Sequence, residues 1–383
     1  MQECISVFDM LKIGIGPSSS HTLGPWRAAE KFLIELQNQN KFQMVARIKI
    51  NLYGSLSLTG KGHATDLAVM LGLSGQDPEF IPVENINKII EEIKHLHLLQ
   101  LGNKIEVPFS PEEDIIFNKE FLPFHANGLT FTAHFLDSTV YSSTFYSIGG
   151  GFVVKENQQE SIENKHCVFP YPIQNADELL KYCLSENKKI SEIVWKNEIA
   201  VRNEATITAE LLRIWHTMLE CMYIGCHTEG ILPGGLNVKR RAFDMHKSLI
   251  GNATYNSPQE WLESIRKTEV KFRQILQWVS CFALAVNEEN ASFGRIITAP
   301  TNGAAGVIPA VIMYAYCFLP DVTEKQLVDF ILTAGEIGTF YKKKATISAA
   351  MGGCQAEIGV SSSMAAAGLT QIMGGTNEQV VQA

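Results

Sequence analysis

The chain has 383 residues, 46% hydrophobic and 19% charged, which excludes global disorder and is too long for one ordinary domain. Its 32 Lys and Arg against 40 Asp and Glu leave a net charge of −8, a balance that argues against nucleic acid or an anionic membrane surface as partner. The opening MQECISVFDM has no basic stretch followed by an apolar run, so no secretory signal is expected and the cytoplasm is the expected location.

The first part, to about residue 155, mixes strands and helices. Apolar residues recur at helical spacing over 25–36 and 86–99, whereas VARIKINL, Val45–Leu52, alternates with period two and reads as a strand. Two β-rich runs, 141–148 and 152–155, flank three glycines as in a hairpin. Residues 156–195 are polar and then Pro-containing, a linker with a short helix over 177–184. From Lys196 onward the spacing is helical, over 204–224, 257–286, 309–317 and 324–337, with breaks rich in Gly and Pro. The most apolar run, 304–319, is interrupted by Pro309 and closed by Pro320, and is too short to cross a bilayer. The expected class is α+β, an N-terminal α/β domain over 1–155 and an all-helical domain over 196–383.

Five segments could carry chemistry. GIGPSSSHT, 14–22, places consecutive hydroxyls and His21 before a helix, suiting an anion or carboxylate, or else simply capping the helix. YGSLSLTGKGHATD, 53–66, presents His63 on a loop with Gly60, Lys61, Gly62 and Asp66. An exposed histidine titrates near neutrality and suits general-base work; the plainer reading is a strand-to-helix turn with a surface histidine. The spacing of a Walker A loop is absent. SIGGGF, 147–152, could cradle a phosphate and invites a pyridoxal-phosphate reading, but its β-rich flanks favour a hairpin connection. In the helical half stand LPGGLNVKRRA, NEEN at 287–290 and TAPTNG at 298–303, where Thr301 and Asn302 form a polar turn before a helix. Glu288 and Glu289 are adjacent and so cannot share a helix face. Last comes MGGCQAE, 351–357, with Cys354 beside two glycines. The eight cysteines form no C-x-x-C pair and no disulfide framework, and buried reduced thiols are expected.

Together GIGPSSSHT, YGSLSLTGKGHATD, YSIGGGF, LPGGLNVKRRA, AVNEENA, TAPTNGAAGVIPA and MGGCQAEIGVSSSMAAAGL occur in this order. They resemble the bacterial iron–sulfur L-serine dehydratase (L-serine deaminase) family in its single-chain form. The resemblance implies conversion of L-serine to pyruvate and ammonia by a cytoplasmic homodimer without pyridoxal phosphate. It also implies an N-terminal domain similar to the allosteric serine-binding domain of some phosphoglycerate dehydrogenases, followed by a helical catalytic domain. It assigns a [4Fe–4S] cluster as Lewis acid with Cys354 as one ligand, His63 as general base, and Ser18, Ser19, His21, Thr22, Lys61, Thr301 and Asn302 to the serine pocket. Two further cluster cysteines of the family have no counterpart here, and 378–383 ends in a helix-like run, so the chain is expected to be C-terminally incomplete. The alternative expectation is a catalytically silent serine-binding protein.

Overall fold

The computed structural model describes residues 3–157, 169–347 and 349–383, the side chains of Ala349, Ala350 and Cys354 excepted. The chain forms two compact units, one of Gly14–Asn164 and one of Met1–Ile13 with Lys165–Ala383. The first residues thus join the helical unit, although composition alone groups them with the α/β half.

The sheet unit is built on five strands in the order Ile115–Phe117, Val45–Leu52, Gly128–Phe135, Val140–Ser147, Val153–Lys155. The first pair is parallel and the others antiparallel. The alternation in VARIKINL explains the central strand: Ile48, Ile50 and Leu52 are fully buried, opposite Ala133, Phe131 and Leu129. The helix Gly24–Gln37 covers this face with Ala28, Ala29, Phe32 and Leu36, and the Phe32 ring stacks on Phe131 at 5.1 Å. Each such ring contributes roughly 1.5–3 kcal/mol by leaving water. The helix Thr65–Leu73 packs so tightly on the first helix that a β-carbon on Gly72 would stand 2.6 Å from the Trp26 carbonyl.

The three glycines form the expected hairpin connection. Gly149, Gly150 and Gly151 all have positive φ, and Ile148 donates its N–H to the Phe152 carbonyl. The 86–99 expectation shifts toward the N-terminus: the helix is Val83–Leu96, closed by left-handed His97, and a small hairpin of Leu98–Leu101 and Ile105–Pro108 follows.

The helical unit buries Trp215, Trp261, Trp278, Phe282 and Phe330. Its long helices Glu204–His227 and Phe272–Ala291 cross in close contact, where a β-carbon on Gly225 would lie 2.4 Å from the Ala285 carbonyl oxygen. The helices Glu324–Lys344 and Ile358–Ile372 meet in the same way through Gly338 against Met364 and Gly368 against Phe330. The run 257–286 is two helices, Pro258–Arg266 and Phe272–Ala291, because the polar TEVK stretch offers no apolar face to continue the first.

Residues 3–13 are held by buried Glu198, whose carboxylate accepts from the Ser6 hydroxyl and the Val7 N–H and pairs with Arg202 at 2.6 Å. A histidine pair not foreseen from the sequence, His227 and His246, is absorbed in packing. His246 Nε2 accepts from the Trp261 indole at 2.9 Å, and His227 accepts from Tyr255. Among the described residues, no helix is long and apolar enough to cross a membrane.

Candidate active site

In the sheet unit, the segment after Pro17 does not run straight into a regular helix. Ser19–Leu23 form a π-helical turn that leads directly into Gly24–Gln37, a feature frequent at functional sites. Ser18 precedes the turn, and its hydroxyl accepts the His21 N–H at 3.2 Å. His21 is buried, with Nδ1 2.8 Å from the Ser20 hydroxyl and Nε2 2.9 Å from the Ser55 hydroxyl. Ser55 opens the loop that carries His63, so the two motifs of this unit meet.

The histidine rings lie 4.9 Å apart at 41°. Two hydroxyl groups fix the loops to each other: Thr22 donates to the His63 carbonyl at 2.7 Å, and Thr65 donates to the His21 carbonyl at 2.6 Å. Gly60 is required at the turn, because a β-carbon there would stand 2.0 Å from the Leu56 carbonyl oxygen.

The protonation states follow from the contacts. His63 Nδ1 lies 3.0 Å from the Thr59 carbonyl oxygen, which can only accept, so Nδ1 carries the proton and donates. The lone pair of the neutral ring is then on Nε2. Burial, reinforced by nearby His63, pushes the His21 pKa down to about 4, so His21 is neutral at physiological pH.

Of the other residues picked out in the sequence, Ser19 is buried and its carbonyl accepts the Gly24 N–H. Lys61 stands apart from this cluster, exposed, with its ammonium 5.2 Å from the Phe117 ring centre. Ser20, Ser55 and Thr65 were not singled out, although they lie inside the quoted motifs.

In the helical unit, the motifs that seemed separate interlock. Glu288 and Glu289 diverge as neighbours on a helix must. Glu288 accepts the backbone N–H groups of Arg241 and Ala242, opening the helix Ala242–Ile250, while Glu289 takes the Arg240 guanidinium at 2.6 Å. Asn290, next in line, accepts the Asn302 side-chain N–H at 3.0 Å. Thr301 and Asn302 are fully buried, and Thr301 sits beside Glu357. Thus NEEN joins KRRA to TAPTNG, and TAPTNG leads on to the segment after Cys354.

Cys4 is half-buried and disulfide-bonded, which corrects the expectation that the thiols other than Cys354 are all buried and reduced. Cys183, Cys221, Cys226, Cys281 and Cys317 are buried and free. Cys226 and Cys281 stand 3.8 Å apart between helices, and burial pushes the thiols of Cys221 and Cys226 far up, the opposite of what a thiolate ligand needs. Among the described residues, no three His, Cys, Asp or Glu side chains are arranged to hold a metal. The described thiols therefore do not fit a three-thiolate cluster; Cys354 lies on a 3₁₀ turn, Gly353–Ala356, with its thiol outside the described residues.

A sheet unit bearing a hydroxyl-rich histidine pair, together with a helical unit of interlocked polar turns, matches two family models in chain order. The serine dehydratase beta chain covers residues 6–158 and the serine dehydratase alpha chain covers 185–383. The chain is 45% identical to an L-serine dehydratase of Haemophilus influenzae over 380 residues, 98% of this chain and 80% of that protein. It is 42% identical to L-serine dehydratase 1 of Escherichia coli, with 98% and 80% covered. With an L-serine dehydratase of Streptomyces coelicolor the identity is 43%, with 99% and 81% covered. The chain belongs to the serine dehydratase family. These matches cover 98–99% of this chain and 80–81% of the relatives' own length.

Proposed function

We propose that the protein is an L-serine ammonia-lyase, an enzyme that converts L-serine to pyruvate and ammonia. The observation that supports this reading most directly is the His21–His63 pair, in which His21 is held neutral and the His63 Nδ1–H on the Thr59 carbonyl leaves Nε2 as the nitrogen that can accept a proton. The names of the relatives agree with it, and they leave the silent serine-binding alternative without support.

In this reading His63 Nε2 takes the α-proton of serine. Its Nδ1–H stays on the Thr59 carbonyl, which steadies the ring and offsets the charge it gains. His21, bridged between Ser20 and Ser55, positions His63 and remains neutral, so the positive charge gained by His63 meets no second cation. Loss of the α-proton and of the β-hydroxide gives 2-aminoacrylate. This tautomerises to the imine, and water releases pyruvate and ammonia. Ser18, Ser19, His21, Thr22 and Lys61 in the sheet unit, and Thr301 and Asn302 in the helical unit, are the proposed serine-binding residues.

Cys354 stays the proposed ligand of a [4Fe–4S] cluster on its sequence motif. Because the described thiols do not complete a ligand set, each step above uses side chains of this chain. The domain division at 1–155, 156–195 and 196–383, the homodimer, the cytoplasmic location and the absence of nucleic-acid or membrane partners are likewise proposals resting on the resemblance and the charge balance.

The test is His63→Asn, which keeps a polar side chain of similar reach and removes the base. Pyruvate formation should fall by about 10²–10⁴-fold while L-serine still binds. Turnover within a few-fold of wild type would overturn the role of His63.

A further inference from the structure

The turn that follows His63 is strained. Ala64, between His63 and Thr65, is buried and lies in left-handed backbone at φ 51°. A β-carbon makes that conformation costly, and it persists where the surroundings hold it, often at functional sites. Here the Gly60 carbonyl holds it by accepting two N–H groups, from His63 at 3.0 Å and from Thr65 at 2.9 Å. The chain doubles back between the two residues and enters the helix Thr65–Leu73.

Thr65 is fully buried, and its hydroxyl leaves its own loop to donate to the His21 carbonyl at 2.6 Å. In a continuous α-helix that carbonyl would take the N–H four residues on, but residue 25 is a proline and has none to give. The Thr65 hydroxyl supplies a donor where the proline withholds one. From the other direction, Thr22 donates to the His63 carbonyl at 2.7 Å. Thr22 follows His21 directly, and Thr65 stands two residues after His63. The two bonds therefore cross, each histidine carbonyl being held by the threonine that accompanies the other histidine. The rings they carry lie 4.9 Å apart.

We propose that Thr65 is a positioning residue for the lyase reaction. By holding the His21 carbonyl it fixes the π-helical turn against the turn over 60–65, and so sets where the His63 imidazole stands. The assignment rests on the reading of His63 as the base and deepens it. With no exposed surface, Thr65 offers nothing to a substrate directly, so its hydroxyl acts on turnover far more than on affinity. A reacting group displaced by about 1 Å loses on the order of 10²-fold in rate.

The test replaces the hydroxyl with a methyl group of the same shape in the whole protein. Thr65→Val should lower kcat for pyruvate formation by about 10–100-fold and leave the affinity for L-serine, measured by calorimetric titration, within about threefold. Thr65→Ser, which restores the donor, should return kcat to within about threefold of wild type. In a His63→Asn background no imidazole remains to be positioned, so adding Thr65→Val should change the residual turnover by less than about twofold. Thr65→Ala is read against the same expectations if the valine variant does not fold, as judged by its melting temperature. A kcat within about twofold of wild type in Thr65→Val, no rescue by serine, or the same fold-loss in both backgrounds would overturn the proposal and leave the lyase reading intact. A His63→Asn variant as active as wild type would instead overturn the role of His63, and this one with it.

Discussion

His21 and His63 share a tilted contact of 4.9 Å, yet their ring nitrogens point to different tasks. His21 has both nitrogens engaged by serine hydroxyls, whereas His63 spends only Nδ1 on the Thr59 carbonyl. The pair therefore separates into a positioning ring and a ring with a lone pair to use. The division arises because the π-helical turn and the loop after the central strand are tied to each other through Thr22 and Thr65.

The depressed pKa of His21 gives a pH dependence of definite sign. Between about pH 4 and 6.5 the unfolded chain holds a proton on His21 that the folded protein does not, so stability falls as pH drops through that window. Glu30, pushed up to about 7 chiefly by burial, works in the opposite direction, so the comparison should be made against His21→Gln. Relative to that variant, wild type should lose up to about 3 kcal/mol on going from pH 6.5 to 4, measured by urea unfolding. A difference that stays constant across the range would contradict a neutral buried His21.

The ion pair of Arg240 and Glu289 is nearly inaccessible to water, and Arg240 also donates to the Ser292 hydroxyl at 2.8 Å. Arg240→Met should cost about 3–5 kcal/mol, because it strands a buried carboxylate. The double variant with Glu289→Leu should recover most of that loss. Chemical unfolding of the two single variants and the double variant checks both statements.

Gly225 sets two effects against each other. Alanine is the better helix former by about 1 kcal/mol. The β-carbon, however, would meet the Ala285 carbonyl oxygen at 2.4 Å, and the obstacle is backbone, which cannot rotate away. Forcing the helices apart costs about 1–3 kcal/mol, so Gly225→Ala should be net destabilising, with a lower melting temperature. A gain in stability would show that the crossing has slack.

Local pattern explains which parts could be read from the sequence. The alternation of Val45–Leu52, the helical spacing before Gln37 and the glycine hairpin each arise from a few consecutive residues, and the structure bears them out. The family resemblance likewise rested on short contiguous motifs. What stayed hidden were meetings between distant positions. Ser55 reaches His21 across 34 residues, Glu289 reaches Arg240 across 49, and Glu198 reaches Ser6 across 192. No spacing rule announces such a contact, so NEEN and KRRA stand as separate motifs in the sequence.

The capture of residues 3–13 by Glu198 has an effect on how the protein is made. The sheet unit is one uninterrupted stretch of chain and can complete its core while later residues are still being added. The helical unit cannot, since its first segment leaves the ribosome long before the carboxylate that will hold it. Separating the two units by a cut near residue 164 would leave the helical piece without its own opening residues. Supplying them as a peptide, or rejoining them ahead of residue 165, would be needed to restore the buried charge of Glu198 to its hydrogen-bond donors.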